Sequence, residues 1–145
     1  MPLLTDPALL AWEEEVPEHL RRDGLWRFQT YRAALYLLDM ATIDTHECSR
    51  VPGAEQLVSQ LIRAVASISA NIGEGYGRRT TADRARFYGI ALGSVRESVT
   101  WYIAATRFLP PGRSNLRTAQ LSEIRCLLVA SMKALDRRPP GSRTV

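Results

Sequence analysis

The sequence predicts an all-α domain of four long helices preceded by a short helical extension, and three observations carry this. Apolar residues recur three or four apart over long stretches, which is the spacing of a helix face. No run alternates with the period of two that a half-buried strand requires. The eight prolines fall near the ends and between the apolar runs, where they separate helices instead of breaking them. The 145 residues are enough for one domain with a real core, and 46% hydrophobic against 23% charged residues is a globular balance. No run reaches the roughly 18 apolar residues of a membrane span. The start, MPLLTDPALLAWEEE, has neither the basic beginning nor the apolar segment of a signal peptide, so a cytoplasmic protein with no membrane partner is expected.

Residues 1–23 read as an N-terminal extension. Asp6 before Pro7 is a helix start, an N-cap followed by proline at the first helical position. ALLAWEEE then supplies two turns, Pro17 interrupts, and EHLRRDG closes the segment. Leu9, Leu10 and Trp12 are apolar enough to dock on the bundle or on a neighbouring subunit. The four-helix body spans 24–138. Its first helix is expected after Asp23, from about Leu25 to Ala41, and the polar stretch from Thr42 to Pro52-Gly53 reads as a loop.

The second helix, about Ala54 to Gly73, organises the rest. In QLIRAVASISANIGEGYGRR (60–79), Leu61, Ala64 or Val65, Ile68 and Ile72 make a helix face, and many of the residues between them are small. Gly73, Gly75 and Gly77 are expected to stop the helix, because glycine accepts the left-handed conformation that ends helices. Arg78 and Arg79 follow where cations favour a helix C-terminus. Thr80 and Asp83 resemble a capping box for a third helix, about Thr81 to Leu109, ended by Pro110-Pro111-Gly112. Ser114 or Asn115 caps a fourth helix reaching about Arg137, and the tail 139–145 is expected to be disordered.

On the third helix, Gly89, Gly93, Arg96, Thr100 and Arg107 share one narrow face, while apolar residues cover roughly 200° of the remainder. Four helices of this length leave none fully enclosed. The second apolar side is therefore expected to meet another subunit.

Two motifs then carry a resemblance. IRAVASISANIGEGYGRR, followed by RFYGIALGSVRES, is similar to the signature of the four-helix bundle protein family, small bacterial proteins first named for open reading frames in 23S rRNA intervening sequences. The family pattern is close to Q-x-x-R-A-x-x-S-I-P-x-N-I-x-E-G-x-G-R, then R-F-x-x-I-A-x-G-S-x-x-E. This chain matches it at Arg63, Ser67, Asn71, Glu74, Gly75, Gly77 and Arg78, then at Arg86, Phe87, Gly93, Ser94 and Glu97, and Trp26 stands where the family has its first-helix tryptophan. Ser69 replaces the usual proline and Gly73 a common alanine, Val99 stands where a second acid is often seen, and residues 1–23 lie outside the pattern. The resemblance implies an antiparallel up-and-down four-helix bundle that assembles with itself into a ring, a homopentamer. It also implies relatives among accessory proteins of diversity-generating retroelements, which bind nucleic acid and a reverse transcriptase, and it implies no enzymatic activity.

The chemistry in the residues is sparse. GEGYGRR lacks the preceding strand and the Gly-Lys-Ser/Thr ending of a phosphate loop. Asn71 and Glu74 sit three apart at the end of the second helix, where they either hold a ligand or tie the helix end to Ser94, Glu97 or the following arginines. Arg63 and Arg78 are candidate partners for the carboxylate. No nucleophile has an evident base and no acid has a second acid or histidine beside it, so no catalytic residue and no cofactor are expected. His46-x-Cys48 is a weak metal signal, and Cys48 and Cys126 read as ordinary thiols. The net charge of +4 rests on eighteen arginines and one lysine, and arginine suits bidentate phosphate contact, although a genome rich in arginine codons gives the same bias. The basic corner Arg78, Arg79, Arg84 and Arg86 is the candidate nucleic-acid contact, for RNA or DNA. The alternative is a solvated surface salt-bridged to Glu74 and Asp83.

Overall fold

A computed structural model describes residues 2–139. The tail expected to be disordered lies, but for Pro139, outside the described residues. The fold is all-α. Two short helices, α1 (Pro7–Glu15) and α2 (Glu18–Arg21), precede four long ones: α3 (Gln29–Cys48), α4 (Glu55–Tyr76), α5 (Thr81–Ala105) and α6 (Arg113–Asp136). Three-residue and four-residue 3-10 turns lie at Leu3–Thr5, Gly24–Arg27 and Thr106–Phe108. Among the described residues no helix is long and apolar enough to cross a membrane.

The long helices are joined by short connections and pack in cyclic order, α3 on α4, α4 on α5, α5 on α6 and α6 back on α3. Short connections make neighbours antiparallel, so this is an up-and-down four-helix bundle. Leu37, Leu61, Val65, Ile68, Ile72, Val95, Leu121, Ile124 and Leu128 fill its interior with no more than 1% exposure each. The α3/α6 seam is the least extensive of the four, and the N-terminal residues lie over it. Leu3 and Leu9 are buried, the Leu3 backbone N–H donates to Glu123 of α6 at 2.6 Å, and Trp12 Nε1 donates to Asp39 of α3 at 3.0 Å. Leu10, by contrast, is 48% exposed.

Caps begin several helices as their sequences suggest. Asp6 accepts from the Ala8 N–H at 2.9 Å, and Thr80 accepts from the Asp83 N–H at 3.1 Å. Asp23 accepts from Leu25 at 2.8 Å, but it caps the 3-10 turn, and α3 starts four residues later than expected.

Four further boundaries differ from the sequence reading. The stretch 42–48 is helix and not loop, because Asp44, Thr45 and Cys48 point inward and are buried. The turn follows later, with Gly53 at φ 88°. Gly73 and Gly75 do not stop α4, which continues to Tyr76, and its C-cap Gly77 is right-handed at φ −77°. Gly75 serves packing instead: a Cβ there would lie 2.9 Å from Phe87 Cβ and from Tyr88 Cε1. Helix α5 ends at Ala105 and not Leu109, as a 3-10 turn takes over. Finally, Gly112 at φ 82° occupies the N-cap of α6, and Ser114 lies inside the helix, donating to the Tyr102 carbonyl at 2.7 Å.

Candidate functional site at the arginine corner

The corner is built by the α4–α5 turn. Helix α4 delivers Glu74 and Tyr76, the turn carries Arg78 and Arg79, and the first turns of α5 present Arg84, Arg86 and Phe87. Arg78 forms an i,i+4 ion pair with Glu74, and its guanidinium carbon lies 4.6 Å from the Phe87 ring centroid. Arg86 lies 4.5 Å from that same centroid and pairs with Asp83 at 3.4 Å. One aromatic ring thus gathers two guanidinium groups, an arrangement favoured by the negative face of the ring. Arg84 donates to the Tyr76 carbonyl at 2.5 Å, capping the end of α4, and its guanidinium carbon is 5.2 Å from the Tyr76 ring. Arg79 is exposed on the turn. The structure therefore brings all four sequence-selected arginines to one end of the bundle. Residues 74–86 hold four arginines against two acids, Glu74 and Asp83, so the corner is positive.

The motif residues behind the corner stitch α4 to α5. Ser67 Oγ and Ser94 Oγ are 2.8 Å apart, and Asn71 Nδ2 donates to the Ser67 carbonyl at 2.8 Å and to Ser67 Oγ at 3.0 Å. Gly75 admits the side chains of Phe87 and Tyr88 close to α4. Glu74 faces Arg78, while Glu97 does not join Asn71: it accepts from Trp101 Nε1 at 3.3 Å. Arg63 is exposed on α4, away from Glu74. These contacts account for Ser67, Asn71, Gly75 and Ser94 as structural ties.

Tyr88 lies beneath the corner. Burial pushes its hydroxyl up to about 12, against the opposing pull of Arg84 and Arg138. Among the described residues no group of three or more His, Cys, Asp or Glu is placed to hold a metal ion. Cys48 and Cys126 are free thiols, and burial pushes the Cys48 thiol up, with Asp44 and Glu47 adding to the shift.

A second polar cluster, at the other end of the bundle, was missed from the sequence. Asp44 is fully buried and accepts from Tyr102 at 2.9 Å, Arg113 at 2.6 Å and Arg117 Nε at 2.7 Å. Gln120 accepts from Arg117 at 3.1 Å. Burial first, and then the Asp44 charge, push the Tyr102 hydroxyl well up. No fully buried side-chain nitrogen or oxygen of these residues lacks a hydrogen-bond partner, so the cluster locks α3, α5 and α6 together rather than offering a reactive group.

The sequence model of the 23S rRNA-intervening sequence protein family matches residues 39–129, which spans α4 and α5 whole, with most of α6 and the end of α3. The chain belongs to this family. The match takes in both the arginine corner and the Ser67–Ser94 stitch that positions it. In fold the chain is similar to a protein of unknown function from the S23 ribosomal protein family of Bacteroides thetaiotaomicron. That likeness has a TM-score of 0.68 at 21% identity and covers 72% of this chain and 98% of the other. No curated protein matches the chain. This member of the intervening-sequence protein family carries its N-terminal extension, Leu3 to Arg21, ahead of the matched region.

Proposed function

We propose that this chain is a non-enzymatic, cytoplasmic, oligomeric protein that binds the phosphates of structured RNA or of an RNA–DNA intermediate through Arg78, Arg79, Arg84 and Arg86. The observation that carries the reading is the convergence of Arg78 and Arg86 on one Phe87 ring, beside Arg84 on Tyr76. Guanidinium groups held on aromatic rings are pre-oriented, so less entropy is lost when they meet a phosphate. Assembly with itself, a pentameric ring in this reading, repeats the corner around one rim and raises the local positive potential.

A second reading rests on a different observation. Ile90 and Ile103, on one long helix, stay 43% and 63% exposed on the single chain, and Leu116 at the start of α6 is 48% exposed. Apolar surface of this kind suits a subunit interface, and equally an adaptor that recruits a protein such as a reverse transcriptase.

Fluorescence anisotropy with a structured RNA and a duplex DNA, at low and near-physiological salt, separates the two. The wild type is compared with a variant carrying Arg78, Arg79, Arg84 and Arg86 all changed to Ala, with light scattering to check assembly. Binding that weakens with salt and vanishes in an intact variant oligomer supports the nucleic-acid reading. Equal binding by the variant, or none by either, turns the corner into a solvated surface and favours the adaptor.

A further inference from the structure

Beside the rim, the ends of all four long helices surround a cleft of about 230 Å³. Phe28, at the start of α3, and Tyr76, at the end of α4, stack with centroids 6.0 Å apart and planes 28° from parallel. Tyr88 lies under Phe28 at 5.6 Å. The last two turns of α6 contribute Ser131 and Leu135 and, just past its end, Arg138, while Arg84 belongs to both cleft and rim. Arg84 and Arg138 both line the cleft, together with Tyr88. Arg84 Nε is buried and has no hydrogen-bond partner among the described residues.

We infer that this cleft receives one unstacked nucleotide of the nucleic acid whose phosphates lie along the arginine rim, an inference that rests on the reading above. The volume falls below the roughly 300–1,000 Å³ of pockets for whole small molecules. It suits a single ring system and excludes a base pair. Aromatic faces with adjacent guanidinium planes are the surfaces on which unpaired bases stack. The two arginines supply the charge for the phosphate attached to such a base. Bases inside a duplex cannot enter, so the cleft selects single-stranded ends, bulges or junctions over continuous duplex.

The test uses the full chain and two RNA hairpins with equal numbers of phosphates. One is blunt and the other has a short 3′ single-stranded overhang containing 5-iodouridine. The overhang hairpin is expected to bind about tenfold more tightly, within what one stacked base contributes. Phe28→Leu, which removes a cleft ring that holds none of the four rim arginines, is expected to remove most of that advantage and leave blunt-hairpin affinity unchanged, while Phe28→Tyr retains it. Photocrosslinks formed on the wild type are expected at Phe28, Tyr76 or Tyr88, and this readout is independent of how well any variant folds. Equal affinity for the two hairpins, or crosslinks elsewhere, overturns the cleft while the rim reading stands. Failure of both hairpins to bind overturns the rim reading and the cleft with it, and the blunt hairpin alone reports the rim.

Discussion

Asp44 and Arg117, 73 residues apart in the chain, meet at 2.7 Å inside the protein, with Asp44 wholly buried and the Arg117 side chain 5% exposed. Arg113 and the Tyr102 hydroxyl bind the same carboxylate. Removing one partner of a buried pair leaves an uncompensated charge, which typically costs about 3–5 kcal/mol. Asp44→Ala is therefore expected to destabilise by about that amount, because Arg117 keeps only Gln120. Arg117→Met is expected to cost less, since Asp44 keeps Arg113 and Tyr102. Urea denaturation of the two variants checks the order, and a costlier Arg117→Met would mean that the carboxylate is not the hub.

Gly75 and Gly93 make opposite predictions for the same substitution. An added Cβ at Gly75 meets Phe87 and Tyr88 at 2.9 Å, whereas nothing lies within 4 Å of one at Gly93. Gly75→Ala is expected to destabilise by about 1–3 kcal/mol through overpacking. Gly93→Ala, exposed within α5, is expected to stabilise by up to about 1 kcal/mol through helix propensity. Thermal melts decide both. A destabilised Gly93→Ala would show that a further surface, such as a second copy, covers that face.

The number and order of the helices were legible because each buries a face with a period near 3.6, and that pattern is local. The errors arose where a distant residue decides a local one. Asp44 reads as loop because it stands in a polar stretch that runs to Pro52-Gly53, and only Arg113 and Arg117 on α6 make it a core residue. The glycines of GEGYG carry two signals, helix stop and close approach. Phe87 and Tyr88 select the second at Gly75. Ser114 looked like a cap until the left-handed Gly112 took that position. The arginine corner was legible because Arg78 to Arg86 are contiguous across one turn. Phe28 and Arg138 were not linked to it, since they reach the cleft from the opposite ends of the bundle sequence.

Tyr88 gives the fold a sensitivity to alkali. Its hydroxyl is pushed from 10.0 up to about 12, chiefly by burial. A phenol raised in the folded state stabilises the fold fully below the unfolded value, and that contribution is lost as pH rises from about 10 to 12. The thermal midpoint is therefore expected to fall across this window, more steeply in the wild type than in Tyr88→Phe. Some alkaline loss persists in the variant, because Tyr31, Tyr36 and Tyr102 shift in the same direction. Identical pH profiles for the two proteins would mean that the Tyr88 ring is not held away from water.

The extension over the α3/α6 seam behaves as part of the core. Leu9 is 0% exposed, and Trp12 stacks with Trp26 at 6.1 Å and meets Tyr36 edge-on at 5.5 Å. Arg32 of α3 holds Glu13 of α1 at 2.7 Å, with 22% and 18% side-chain exposure, so water screens this pair less than the open pair of Arg22 with Glu18. Leu9→Ala is expected to cost about 2–5 kcal/mol, the range for emptying a packed leucine site. Leu10→Ala, at a half-exposed position one residue on, is expected to change stability by no more than about 0.5 kcal/mol. Deleting residues 1–16 should lower the denaturation midpoint further than Leu9→Ala, because it uncovers the seam between α3 and α6 as well. If the deletion left the midpoint unchanged but reduced assembly by light scattering, the extension would belong to a contact between subunits and not to the fold of one chain.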